Sequence, residues 1–139
     1  MQNKLTKETQ LEIIALCEQI AYDRKGENIK RLDMNDVDGA ISDYYLICTG
    51  LSNPHIGAIA ERIQREVRTK YDIRPISVDG EPQSQWMIVD YGFLMIHVMT
   101  GEARDKYRLE SLWGDAPCED VVARLDEAHR LSLENKTQG

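Results

Sequence analysis

At 139 residues with a formal net charge of −7, the chain has the length of one domain and lacks the basic excess that binding along a phosphate backbone normally requires. Its three cysteines, Cys17, Cys48 and Cys118, are odd in number and widely spaced, which speaks against a disulfide framework and for buried free thiols in a reducing compartment. No apolar run approaches membrane-spanning length, and the opening MQNKLTKETQ lacks the basic-then-apolar build of a signal peptide, so a cytoplasmic protein without a membrane partner is expected.

The first helix is expected from about Thr6 or Thr9 to Lys25, because Ile13, Leu16, Cys17 and Ile20 recur at helical spacing and Gly26 can close the C-terminus. Residues 27–33 read as a half-buried strand at a sheet edge, where Lys30 and Arg31 would discourage further pairing. DYYLICTG, Asp43 to Gly50, is apolar on both parities from Tyr44 to Cys48 and belongs inside a sheet. Asn53 and Pro54 then open a helix with Ile56, Ile59, Ala60, Ile63 and Val67 on one stripe. A short strand near Ile76 to Val78 completes a strand-helix-strand crossover, which makes these two strands parallel.

WMIVDYGFLMIHVM, Trp86 to Met99, is a hairpin. With Tyr91 and Gly92 as a two-residue loop, Asp90 stands opposite Phe93, Ile88 opposite Met95 and Trp86 opposite His97. Period-2 alternation gives one aliphatic face, Met87, Val89, Leu94, Ile96 and Val98. The other face carries Trp86, Ile88, Asp90, Phe93, Met95, His97 and Met99, a mixture close to that of interface cores. Two readings of this second face stand side by side, a partner surface or a core under another helical layer. A short helix capped by Thr100 follows over Glu102 to about Tyr107. The last helix is signalled from Asp115 to Pro117 and extends to about 133, with i,i+4 pairs Asp120–Arg124 and Asp126–Arg130 and a frayed tail at 134–139. The whole is a single α/β domain, 1–133, with a mixed sheet of about five strands.

His55, His97 and His129 show none of the close His/Cys spacings of zinc sites, so no metal or cofactor is expected, and His55 and His129 read as solvated. No Gly-x-Ser-x-Gly elbow is present. The Gly50–Ser52 turn before a helix could hold a phosphate, and nucleotidyltransferases follow such a turn with paired carboxylates, here Asp79 and Glu81. An ordinary helix cap and a loop account for the same residues.

An ordered set of motifs goes further. It comprises Asp23-Arg24-Lys25-Gly26-Glu27, Ser42-Asp43-Tyr44-Tyr45, Thr49-Gly50 with Ser52, Ala58-Ile59-Ala60, Asp79-Gly80-Glu81 leading to Trp86, Asp90-Tyr91-Gly92 with His97, Glu102-Ala103-Arg104, and Leu112-Trp113-Gly114-Asp115-Ala116-Pro117. From Ala21 through Pro117 the chain resembles the Iojap family of ribosomal silencing factors, also called RsfS. The resemblance implies a nucleotidyltransferase-like fold without a working catalytic set. It also implies a non-enzymatic translation repressor that binds the fourteenth protein of the large ribosomal subunit and blocks joining of the small subunit. The partner-binding positions it implies are Trp86, Asp90, Tyr91, Gly92, His97, Tyr107, Leu109, Glu110, Leu112, Trp113 and Asp115. Rival structural roles are a core pin for Leu112 and a helix cap for Asp115. The family commonly has an acid after Asp-Tyr-Gly, where this chain has Phe93. Nothing in the sequence points to sequence-specific nucleic-acid binding. The alternatives are an enzyme using the Gly50–Ser52 turn and a homodimeric scaffold joined through the sheet face.

Overall fold

The computed structural model describes residues 5–138. Helix α1 (Lys7–Asp23) is capped by Thr6, whose Oγ1 accepts from the Thr9 amide. It ends at Arg24, with Lys25 in the left-handed region and the Gly26 amide returning to the Ala21 carbonyl. Strands β1 (Glu27–Asp33) and β2 (Tyr44–Gly50) follow, then α2 (Asn53–Tyr71), β3 (Ser77–Asp79), a turn of 3-10 helix at Pro82–Ser84, β4 (Trp86–Asp90) and β5 (Leu94–Thr100). Two short helices, α3 (Gly101–Tyr107) and α4 (Leu109–Leu112), lead to β6 (Cys118–Asp120) and α5 (Val121–Gln138).

The fold is the mixed α/β domain expected, with six strands among the described residues rather than about five, in the order β3-β4-β5-β2-β1-β6. β2 and β5 are parallel neighbours, and every other adjacent pair is antiparallel. β3 does run in the same sense as β2, yet the hairpin β4–β5 stands between them, so the crossover through α2 spans two intervening strands. Both parities of β2 are apolar because both faces of the sheet are covered. Leu46 and Cys48 join the helix-side core with Ile13, Ile56, Ile59, Ile63 and Ile96, whereas Tyr45 and Ile47 join a second cluster with Leu32, Met95 and Met99.

Several local expectations are corrected. β1 is not an edge, since β6 pairs with it over Lys30 to Leu32. Its charges have partners: Lys30 meets Asp120 at 3.2 Å, and Arg31 forks onto the buried Glu18 of α1 at 2.6 and 2.8 Å. Cys118–Asp120 is therefore strand, and the last helix starts at Val121 with Asp120 rather than Asp115 accepting from the Ala123 amide. Arg124 reaches Glu18 and Glu119, and Arg130 reaches Glu127 and Glu134, in place of the anticipated i,i+4 partners. The helix continues to Gln138, although its packing stripe ends at Leu125 and the side chains from Asp126 to Lys136 are exposed. At α2 the cap is Ser52, whose Oγ accepts from the His55 amide, and Asn53 is the first helical residue.

The hairpin loop is Gly92-Phe93, one residue further along than the expected Tyr91-Gly92. Asp90 pairs with Met95, Ile88 with His97 and Trp86 with Met99, a register two residues away from the expected one. The cause lies in the turn, where Asp90 Oδ1 accepts from the Gly92 amide at 2.7 Å, Gly92 takes φ 87°, and the Tyr91 amide bonds the Leu94 carbonyl. A shift of two preserves parity, so both faces survive for the strand residues. Phe93 does not remain with Trp86, because it falls in the turn and packs on the helix side near Tyr91.

Candidate functional site

α1 and α2 cover one face of the sheet. The other is covered by short pieces, namely the 34–43 loop and the segment through α3 and α4, and these leave an aromatic row at the surface. Tyr107, Trp86, His97, Tyr45 and Trp113 follow one another with ring centroids 4.7, 5.8, 5.5 and 5.8 Å apart. Tyr45 and His97 form the buried floor, Trp86 and Trp113 are half-buried, and Tyr107 is 47% exposed. Tyr45 was absent from the expected site, although its parity on β2 sets it on the face of Ile47 rather than Leu46; the parallel pairing of β2 with β5 brings it to His97.

Trp86 lies diagonal to His97 across the hairpin rather than opposite, and its indole Nε1–H donates to His97 Nδ1 at 3.1 Å. With Nδ1 accepting, the neutral ring carries its proton on Nε2, which is buried and has no partner among the described residues. Burial pushes the His97 pKa down to about 4. The unfolded chain takes up this proton near the ordinary value of about 6.5, so it holds more protons than the folded chain between the two values. Stability is therefore fully present above about pH 6.5 and falls as the pH drops towards 4, by about 3 kcal/mol across that window. Urea unfolding at about pH 7 and about pH 5 is expected to show the loss, and His97→Gln is expected to flatten it; an unchanged pH slope in that variant would contradict the assignment.

The remaining expected site residues divide. Asp90 is half-buried at the turn, while the Tyr91 side chain is 6% exposed on the helix-side core, so it supports the turn from behind the face. Leu109 packs under the row, and Leu112, implied as a contact with a core pin as its rival role, is 67% exposed and pins nothing. Asp115 is exposed and caps no helix. What fixes this segment is Arg104, 6% exposed on α3. Its Nε binds Glu110 at 2.7 Å, and its Nη1 donates to the Asn28 carbonyl and Thr49 Oγ1 at 2.5 and 2.9 Å. A buried, multiply bonded arginine thus ties α3 and α4 to β2, holding Tyr107 and Trp113 on either side of the floor. Glu110, expected as a contact, serves this tie.

The catalytic alternative finds its parts apart. Asp79 and Glu81 are exposed at the edge strand, three strand spacings from β2, roughly 14 Å. Gly50 is required by packing, since a Cβ there would meet Ile56 Cγ2 at 2.6 Å. Gly80, at φ 83°, abuts the Trp86 carbonyl, which a Cβ would approach to 2.2 Å. Glycine is needed there to seat β4. His55, read from sequence as solvated, is a clamp: Nδ1 accepts from the Leu51 amide and Nε2 bonds the Arg24 carbonyl, at 2.8 and 2.7 Å. Among the described residues no group of three or more His, Cys, Asp or Glu is placed to hold a metal.

Fold and face define a mixed-sheet α/β domain with an aromatic row between the short segments that cover its second face. The profile of the family described as ribosomal silencing factor during starvation, RsfS, matches residues 7–138, and the chain belongs to that family, whose role is regulatory. That match includes α5, beyond the Pro117 limit of the motifs. The chain is 36% identical over 115 residues to the ribosomal silencing factor RsfS of Bacillus subtilis, covering 81% of this chain and 93% of that protein. It is 30% identical over 104 residues to the mouse protein named mitochondrial assembly of ribosomal large subunit protein 1, covering 69% of this chain and 45% of that one. A crystal structure of a Chromobacterium violaceum protein superposes with a TM-score of 0.70 at 30% identity, covering 75% of this chain and 85% of that chain.

Proposed function

We propose that this chain docks on the large ribosomal subunit, through the fourteenth large-subunit protein, and blocks joining of the small subunit, repressing translation in the cytoplasm without catalysis. The observation that carries the reading is the aromatic row. Half-buried Trp86 and Trp113 stand over a buried floor of Tyr45 and His97, the composition in which binding energy concentrates. Family membership supports the ribosome as partner, and the mouse relative carries the large subunit in its name. The net charge of −7 favours a basic protein over bare phosphate backbone as the contacted component.

Co-sedimentation with isolated subunits tests the proposal. The chain is expected to pellet with large subunits and not with small ones, and to release as salt rises, because charge attraction to a basic protein is screened. Equal pelleting with both subunits would refute it.

A further inference from the structure

At one end of the row, beyond Trp113, the surface dips into a groove of about 530 Å³ between the 34–43 loop and the segment after α4. Trp113, Val37 and Leu112 make its apolar walls, and Asp36, Asp38 and Asp115 also line it. Among the described residues, no Lys, Arg or His lines it and none of the three carboxylates has an ion-pair partner. The walls are held by backbone. The Asp33 amide bonds the Pro117 carbonyl at 2.9 Å, the Val37 amide bonds Met34 at 3.2 Å, and the Ala116 amide bonds Trp113 at 3.0 Å. On the loop side the Asn35 amide and side chain both donate to Asp33 Oδ1. A groove fixed in this way needs little ordering when a guest enters.

Its chemistry selects the guest. An indole wall with aliphatic neighbours favours a flat cation or a long methylene stem, and unneutralised carboxylates favour positive charge. The guanidinium of arginine meets both demands, stacking on the indole while its N–H fork bonds carboxylate oxygens. The groove also continues the aromatic row through the Tyr45–Trp113 contact, so a partner seated on Trp86 extends over it.

We propose that this groove receives an arginine side chain of the protein partner, anchoring one end of the docking surface; the identity of the surface rests on the function proposed above. The test has two arms. In the first, a short arginine-containing peptide and its citrulline counterpart are titrated into the full chain and followed by NMR at the Trp113 indole and the Asp36 to Asp38 amides. Arginine is expected to shift these signals saturably and citrulline is not. An Asp36→Asn, Asp38→Asn, Asp115→Asn triple variant is expected to lose the response while keeping the native melting temperature, since all three side chains are exposed. Equal responses to both peptides, shifts mapping elsewhere, or displacement of the peptide by magnesium beyond its ionic-strength effect would overturn the proposal.

In the second arm, the triple variant is expected to bind large subunits about tenfold more weakly, with a shallower salt dependence. A variant that pellets like the native chain, despite losing the peptide response, would show that the groove is not part of the docking contact. Failure of the native chain itself to bind large subunits refutes the ribosomal reading instead, and the peptide arm then decides whether the groove takes arginine.

Discussion

Trp86→Ala is expected to weaken binding to large subunits by about thirtyfold or more while leaving a folded protein. Truncating an aromatic anchor at the centre of an interface typically costs about 2 kcal/mol or more. Trp86 occupies that position, with Tyr107 on one side, His97 beneath, and part of its ring at the surface. Its loss also removes the donor to His97 Nδ1 and the packing of a half-buried indole on the second core cluster, so a stability cost of roughly 2–3 kcal/mol accompanies the binding loss. Trp86→Phe keeps a ring but not the N–H, and should fall between the two. Thermal unfolding and subunit pelleting on the same preparations separate the effects. A Trp86→Ala protein that binds like the native chain would move the docking surface elsewhere.

Ile96→Ala is expected to do the reverse, lowering stability by about 2–5 kcal/mol without changing the affinity of the molecules that remain folded. Ile96 is wholly buried at the middle of β5, between Leu46 on β2 and Val89 on β4, on the helix side. Removing its side chain leaves a cavity that the flanking strands, bonded on both sides, cannot readily close. Denaturant unfolding measures the loss. A change below about 1 kcal/mol would show that the central strand packs loosely enough to relax.

The two variants lie on opposite faces of one hairpin, and the face of a strand residue is what the sequence conveys best. Alternation through Trp86 to Met99 assigns nearly every strand residue to its face although the register was misjudged by two, because a shift of two changes partners and not faces. Phe93 was lost because the turn depends on an Asp90–Gly92 bond that strand periodicity does not encode. Tyr91 follows the same alternation past the end of β4. It shares the parity of Met87 and Val89, and its side chain lies with theirs on the helix side. β1 passed for an edge because lysine and arginine repel pairing only when unpaired, and their partners Asp120 and Glu18 lie on other elements that strand periodicity does not reveal. β6 is three residues of largely polar strand defined by its neighbour, with no periodicity of its own to read. Arg104 escaped for a related reason, since a buried arginine looks like any helical surface cation until Asn28, Thr49 and Glu110 converge on it.

The central claim is that occupation of the large subunit excludes the small one, and the rate of subunit joining tests it most directly. Large subunits are incubated with the native chain, with Trp86→Ala, or with buffer, then mixed with small subunits while light scattering reports joined ribosomes. The native chain is expected to suppress joining in proportion to its occupancy of large subunits, and Trp86→Ala is expected to leave joining close to the buffer rate at the same concentration. Normal joining by large subunits saturated with the native chain would contradict the account.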